Sequence, residues 1–180
     1  MDLYTAVKNG SINTIVTILT STPPPTVNDM QLAFDGACDD LNHMIMSLLL
    51  HYGAVCSDYD NRALRMASSK GDVEIVRLLL DNGADPSAYG GQALETASKN
   101  GDHEIVRLLL EHGADPSADG GQALETASKN GHLEVVRLLL QFGASPKTNN
   151  SIKLATASGN SDIARLLTIY LKPASSSAFF

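Results

Sequence analysis

Residues 83–110, GADPSAYGGQALETASKNGDHEIVRLLL, and 113–140, GADPSADGGQALETASKNGHLEVVRLLL, decide the fold. They agree at 24 of 28 positions and differ only at Tyr89/Asp119, Asp102/His132, His103/Leu133 and Ile105/Val135. Two near-copies offset by 30 residues mark one supersecondary unit, duplicated and stacked on itself. Each unit of such an array touches only its neighbours and the whole builds an extended surface, so binding is the work that suits it.

The interval holds on both sides of the twin copies. Gly53, Gly83, Gly113 and Gly143 fall 30 apart, each followed by alanine. Residues 62–84 are another copy, and 32–54 keep the spacing with a weaker text. There Phe34 replaces the repeated leucine, and Leu41 stands where other units have Gly71, Gly101 and Gly131. Residues 3–19 and 151–167 match the helical half, the latter if its preceding loop is two residues shorter. Six units result, at about 1–20, 30–52, 60–82, 90–112, 120–142 and 150–171, which predict a single domain over 1–172. A proline-rich connector at 21–29 and a tail at 173–180 lie outside them. The end units diverge most, as capping units do.

Each unit carries two short helical patterns. In Gln92 to Asn100, Ala93, Leu94 and Ala97 give a small apolar face at helical spacing, and Gly101 ends it. In Asp102 to His112 the aspartate is the expected N-cap, and Ile105, Val106, Leu108, Leu109 and Leu110 form a wide apolar face. The polar return ADPSADGG is biased toward extended backbone by Asp115-Pro116. Neither helix is long enough to persist alone in water, so each must bury its leucines against the next copy. The prediction is all-α.

The small helix ending in ASKNG, the second helix GHLEVVRLLL and the closing GADPSA resemble the ankyrin repeat family from residue 3 to about residue 170. That resemblance implies an ankyrin-repeat solenoid of about six stacked helix-turn-helix units. The family's opening Thr-Pro-Leu-His reads Gln92-Ala93-Leu94-Glu95 and Gln122-Ala123-Leu124-Glu125, so only the leucine matches. The connecting turn is also about three residues shorter than in the 33-residue form, which puts a full β-hairpin finger in question. Shortened units of this style resemble ankyrin arrays of giant viruses and some unicellular eukaryotes.

The resemblance further implies partner binding through turn tips and a concave face at the ends of the first helices. Carried onto this chain, the tips are Asp29, Tyr59 with Asp60, Tyr89, Asp119 and Asn149. The helix ends are Lys8-Asn9, Asp39-Asp40, Ser69-Lys70, Lys99-Asn100 and Lys129-Asn130. The candidate partner-binding residues are therefore Tyr59, Asp60, Lys70, Tyr89, Lys99, Asn100, Asp119, Lys129 and Asn130. Exposed tyrosines are common binding hot spots, and Lys or Asn at a helix end also complements the dipole.

Two charged columns follow from the period. Glu74, Glu104, Glu134 and Asp162 precede Arg77, Arg107, Arg137 and Arg165 by three residues and predict exposed pairs. Arg65, Glu95, Glu125 and Lys153 form the other, with Glu125 expected near Lys153.

Composition excludes several classes. A net charge of −7 with no Lys/Arg cluster disfavours nucleic acid. Two cysteines, Cys38 and Cys56, make no disulfide framework and suit a reducing compartment. No signal peptide is read at the start, and no run approaches the roughly 20 apolar residues of a membrane span. The five histidines have no metal-ligand spacing, the Gly-Gly pairs lack the strand and lysine of a phosphate loop, and no serine sits in a nucleophile motif. The expectation is a cytoplasmic or nuclear monomer without enzyme activity, cofactor or metal, binding another protein. Two alternatives stay open: an adaptor recruiting a target to a complex such as a ubiquitin ligase through the connector or tail, and a spacer with no dedicated ligand.

Overall fold

A computed structural model describes residues 1–56, 62–146 and 150–171. Among these, every regular element is a helix. The chain packs as two compact units, Met1–Asp85 and from Pro86 onward. The first contains α1 (Leu3–Lys8), α2 (Ile12–Leu19), α3 (Val27–Asp39), α4 (His43–His51), α5 (Arg62–Lys70) and α6 (Val73–Asp81). The second contains α7 (Ala88–Asn100), α8 (His103–Glu111), α9 (Ala118–Asn130), α10 (Leu133–Gln141), α11 (Ser151–Ala157) and α12 (Ser161–Leu171).

The same rule builds both units. Odd-numbered helices pack on odd, so α1 meets α3 and α3 meets α5, while α7 meets α9 and α9 meets α11. Even helices do likewise, α4 on α6 and α8 on α10 on α12. The repeated letters explain the burial. Ala67, Ala97 and Ala127 are fully buried where first helices approach one another closely. Leu64, Leu94 and Leu124, with Leu79, Leu109 and Leu139, bury the larger apolar area. A buried leucine of this kind contributes roughly 1.5–3 kcal/mol by removal from water.

Turns are set by glycine where the backbone must turn left-handed. Gly101 and Gly131 take φ of 86° at the ends of α7 and α9. At the matching position in the first unit, Leu41 adopts φ 48° despite its side chain, which costs roughly 1–2 kcal/mol.

Four expectations change. The helix after the proline run starts at Val27, so the connector is shorter than 21–29. Thr26 caps it, accepting from the Asp29 N–H while Asp29 accepts from the Thr26 N–H, a reciprocal capping box. The return before α7 and α9 is not extended. Asp115 Oδ1 accepts the Ser117 N–H at 2.8 Å and curls the chain, and residues 89–91 and 119–121 then run left-handed. Asp102 occupies the N-cap position of α8, but its side chain does not cap, unlike Asp72, which accepts the Ile75 N–H at 3.1 Å. Finally, Glu125 forms no ion pair with Lys153 among the described residues; its Oε1 accepts the Asn150 N–H at 2.6 Å at the start of α11. A carboxylate there meets an unpaired N–H and the positive end of the helix together.

The exposed pairs on the second helices are present as expected at the C-terminal end. Arg137 lies 3.6 Å from Glu134 and Arg165 lies 3.9 Å from Asp162.

Candidate functional site

The shortened turn decides how the tips are presented. Tyr89, Gly90 and Gly91 take φ of 54°, 66° and 80°, and Asp119, Gly120 and Gly121 take 48°, 68° and 86°. Three consecutive left-handed residues make a tight reversed turn, closed by Gly91 N–H to Ser87 O at 3.2 Å and Gly121 N–H to Ser117 O at 3.1 Å. Glycine enters this region without a steric penalty, whereas tyrosine does not. Aspartate tolerates it better, because its short polar side chain suits αL. Position 89/119 therefore accepts either Tyr or Asp on a left-handed backbone. The turn projects Tyr89 outward, 59% exposed, and Asp119 is exposed at the same level of the next repeat.

Helix ends supply the second group. Lys70, Lys99, Asn100, Lys129 and Asn130 are all exposed at the last residues of α5, α7 and α9. Lys99 and Lys129 offer their ammonium groups to solvent, but their carbonyls are engaged. Asn130 Nδ2 donates to Lys99 O at 2.9 Å, and His132 Nε2 sits 2.9 Å from the same oxygen. A carbonyl only accepts, so that ring nitrogen carries the proton. Asn160 Nδ2 repeats the device one unit on, donating to Ser128 O and Lys129 O, each at 2.9 Å. These are the unpaired carbonyls that every helix leaves at its C-terminus. One candidate thus has a structural duty: the Asn130 amide ties α9 to α7.

The clip also explains the glycines beneath it. A Cβ at Gly101 would stand 2.6 Å from His132 Nδ1, and one at Gly131 would stand 3.0 Å from Asn160 Oδ1. Asn160 is not among the residues the sequence singled out. The signal was available, since Asn160 aligns with His132 once the two-residue deletion is allowed.

In the first unit the helix-end level is charged. Lys8 Nζ and Asp40 Oδ2 are 2.6 Å apart, and Arg62 Nη1 is 3.1 Å from Asp39 Oδ1. Its hydrogen bond to Asp40 holds the Lys8 ammonium above the ordinary lysine range. Asp29, read from the sequence as a tip, is a capping residue, and its bonds to Thr26 hold its carboxyl below the usual range. Asp2 is lowered in the same way by the Thr5 N–H it caps. Tyr59, Asp60 and Asn149 lie outside the described residues.

Chemistry at this surface is polar contact and aromatic packing. Among the described residues no group of three or more His, Cys, Asp or Glu could hold a metal ion. Cys38 and Cys56 are buried and form no disulfide. No helix among the described residues is long and apolar enough to cross a membrane.

A family model described as ankyrin repeats (three copies) matches residues 3–118 and 94–175. No curated protein matches the chain.

Proposed function

The chain belongs to the ankyrin repeat family, whose members generally act as protein–protein interaction modules and are typically non-enzymatic scaffolds, and from that premise we propose that it grips one partner protein through its turn tips and first-helix ends. The contact set is Tyr59, Asp60, Tyr89 and Asp119 at the tips, with Lys70, Lys99, Asn100, Lys129 and Asn130 at the helix ends. Domain 1–172 is read as one repeat array, working as a cytoplasmic monomer. One observation carries the reading: Tyr89 is held outward by a left-handed turn that its own side chain does not favour. Large rigid aromatics presented this way lose little entropy on binding and dominate interface energies.

The test uses the twin repeat as its guide. Tyr89→Asp installs the residue that Asp119 already shows is compatible with this backbone. Combined with Tyr59→Ala, it should leave the thermal midpoint unchanged or slightly raised. Affinity for a partner isolated with the native chain should fall about tenfold or more, as for a hot-spot loss. Unchanged affinity would remove the tips from the interface.

A further inference from the structure

Charge is distributed unequally along the chain. Residues 1–85 carry eleven Asp or Glu against five Lys or Arg, net −6, whereas 86–180 carry nine against eight, net −1. Nearly all of the formal −7 therefore belongs to the first compact unit. Acidity alone defines no site, but this unit also presents apolar side chains where the twin repeats do not.

The repeat supplies its own control. Leu32 is 55% exposed on α3, and the residues 60 and 90 positions later are Gln92 and Gln122. Tyr4 is 38% exposed on α1, and in the register that aligns Leu3 with Leu94 its counterparts are Glu95 and Glu125. Stacking requires no apolar residue at either position. Gly36 then joins the two. It lies one turn beyond Leu32 in the middle of α3, where glycine costs about 1 kcal/mol against alanine, and the twin repeats carry Thr96 and Thr126 there. A Cβ at Gly36 would come within 2.9 Å of the Tyr4 ring. The glycine lets that ring approach α3 one turn from Leu32, with the Lys8 side chain, paired to Asp40, against the same glycine. Asp35 borders the platform, accepts only from Gln31 Nε2 at 3.0 Å, and forms no ion pair among the described residues.

We infer that the Tyr4–Leu32 platform on α1 and α3 docks a basic amphipathic segment of a partner protein. Its apolar side chain covers the Tyr4 ring and Leu32, and its Lys or Arg residues face Asp35 and the −6 field of the unit. An apolar anchor flanked by complementary charge is the recognition mode of a helix laid on a surface groove. This deepens the interaction-module reading by naming the class of partner segment and the unit that holds it.

The experiment titrates the isotope-labelled full chain with two synthetic peptides that share one Leu/Phe face. One has Lys and Arg on its polar face, the other Glu. The basic peptide should shift the amides of α1 and α3, bind at least about tenfold more tightly than the acidic one, and weaken as salt screens the field. Tyr4→Gln with Leu32→Gln, which imports the polar character of the twin repeats, should abolish binding at an unchanged melting temperature. Tyr89→Asp should leave this peptide's affinity alone, so loss of the platform and loss of the tips are separable. Equal affinity for both peptides, shifts confined to α7–α12, or binding that survives the double substitution would each overturn the inference. So would a wild-type chain that self-associates and becomes monomeric on the same double substitution, since the platform would then face a second copy.

Discussion

The two compact units fasten the ends of their first helices by different means. In Met1–Asp85 the fasteners are charges, Lys8 to Asp40 and Arg62 to Asp39, both solvent-exposed. In the second unit they are side-chain N–H donors inserted over the last carbonyls of α7 and α9, from Asn130, His132 and Asn160. The carbonyl clip satisfies groups that the helix cannot satisfy itself, whereas the ion pair joins groups that water would solvate well. A repeat frame therefore tolerates either fastener, with different responses to salt and pH.

Core substitutions give the largest effect and set the baseline. Leu79→Ala in the first unit and Leu109→Ala in the second remove equally buried side chains, and each should lower unfolding free energy by about 2–5 kcal/mol in denaturant titration. Markedly unequal costs would mean that the units differ in packing as well as in fasteners. Next comes Asn160→Ala. It strips the amide that serves Ser128 and Lys129 carbonyls, for an expected loss of about 1–2 kcal/mol that persists at high salt. A loss that vanished with added salt would put the second unit in the same class as the first.

Leu41→Gly should act in the other direction. Relieving φ 48° at the end of α3 should stabilise the first unit by about 1 kcal/mol, seen as a raised melting temperature. No gain would show that the leucine side chain repays its backbone strain.

The smallest effect is electrostatic. The folded state raises the Lys8 pKa, so the pair's contribution is fully present below the unfolded lysine value of 10.5 and fades as pH rises through the raised folded value. Asp2 and Asp29 are lowered. Their contribution is present above the unfolded value of 3.8 and fades as pH falls through the lower folded values. Unfolding midpoints followed to both extremes should show an alkaline loss that Asp40→Asn removes, and an acid loss that Asp29→Asn reduces. An alkaline loss unaltered by Asp40→Asn would separate Lys8 from the stability of the first unit.

The helical half of each unit was legible because its determinants lie within one turn of each other. The 30-residue spacing of glycines and the buried Leu/Ala columns needed nothing beyond periodicity. The polar partners were harder to read. Column logic points Glu125 at Lys153, yet its carboxylate accepts the Asn150 N–H at the start of α11. Asp29 looked like a tip and turned out to be half of a capping box. Of the candidate site, the exposure of Tyr89, Asp119, Lys99 and Lys129 followed from the pattern, but the engagement of the Asn130 amide did not. The exposure of Tyr4 and Leu32 was not legible, because leucine and tyrosine in a helical pattern look like core residues.

Sequence alone determined the repeat, the all-helical class and which face of each helix is buried, since burial follows hydrophobic period and period is local. Tertiary structure decided the rest: which amide reaches which carbonyl, which carboxylate caps and which pairs, and which apolar residues stay in water. Those outcomes turn on distances of about 3 Å between groups some 30 residues apart, and only the packed helices set such distances.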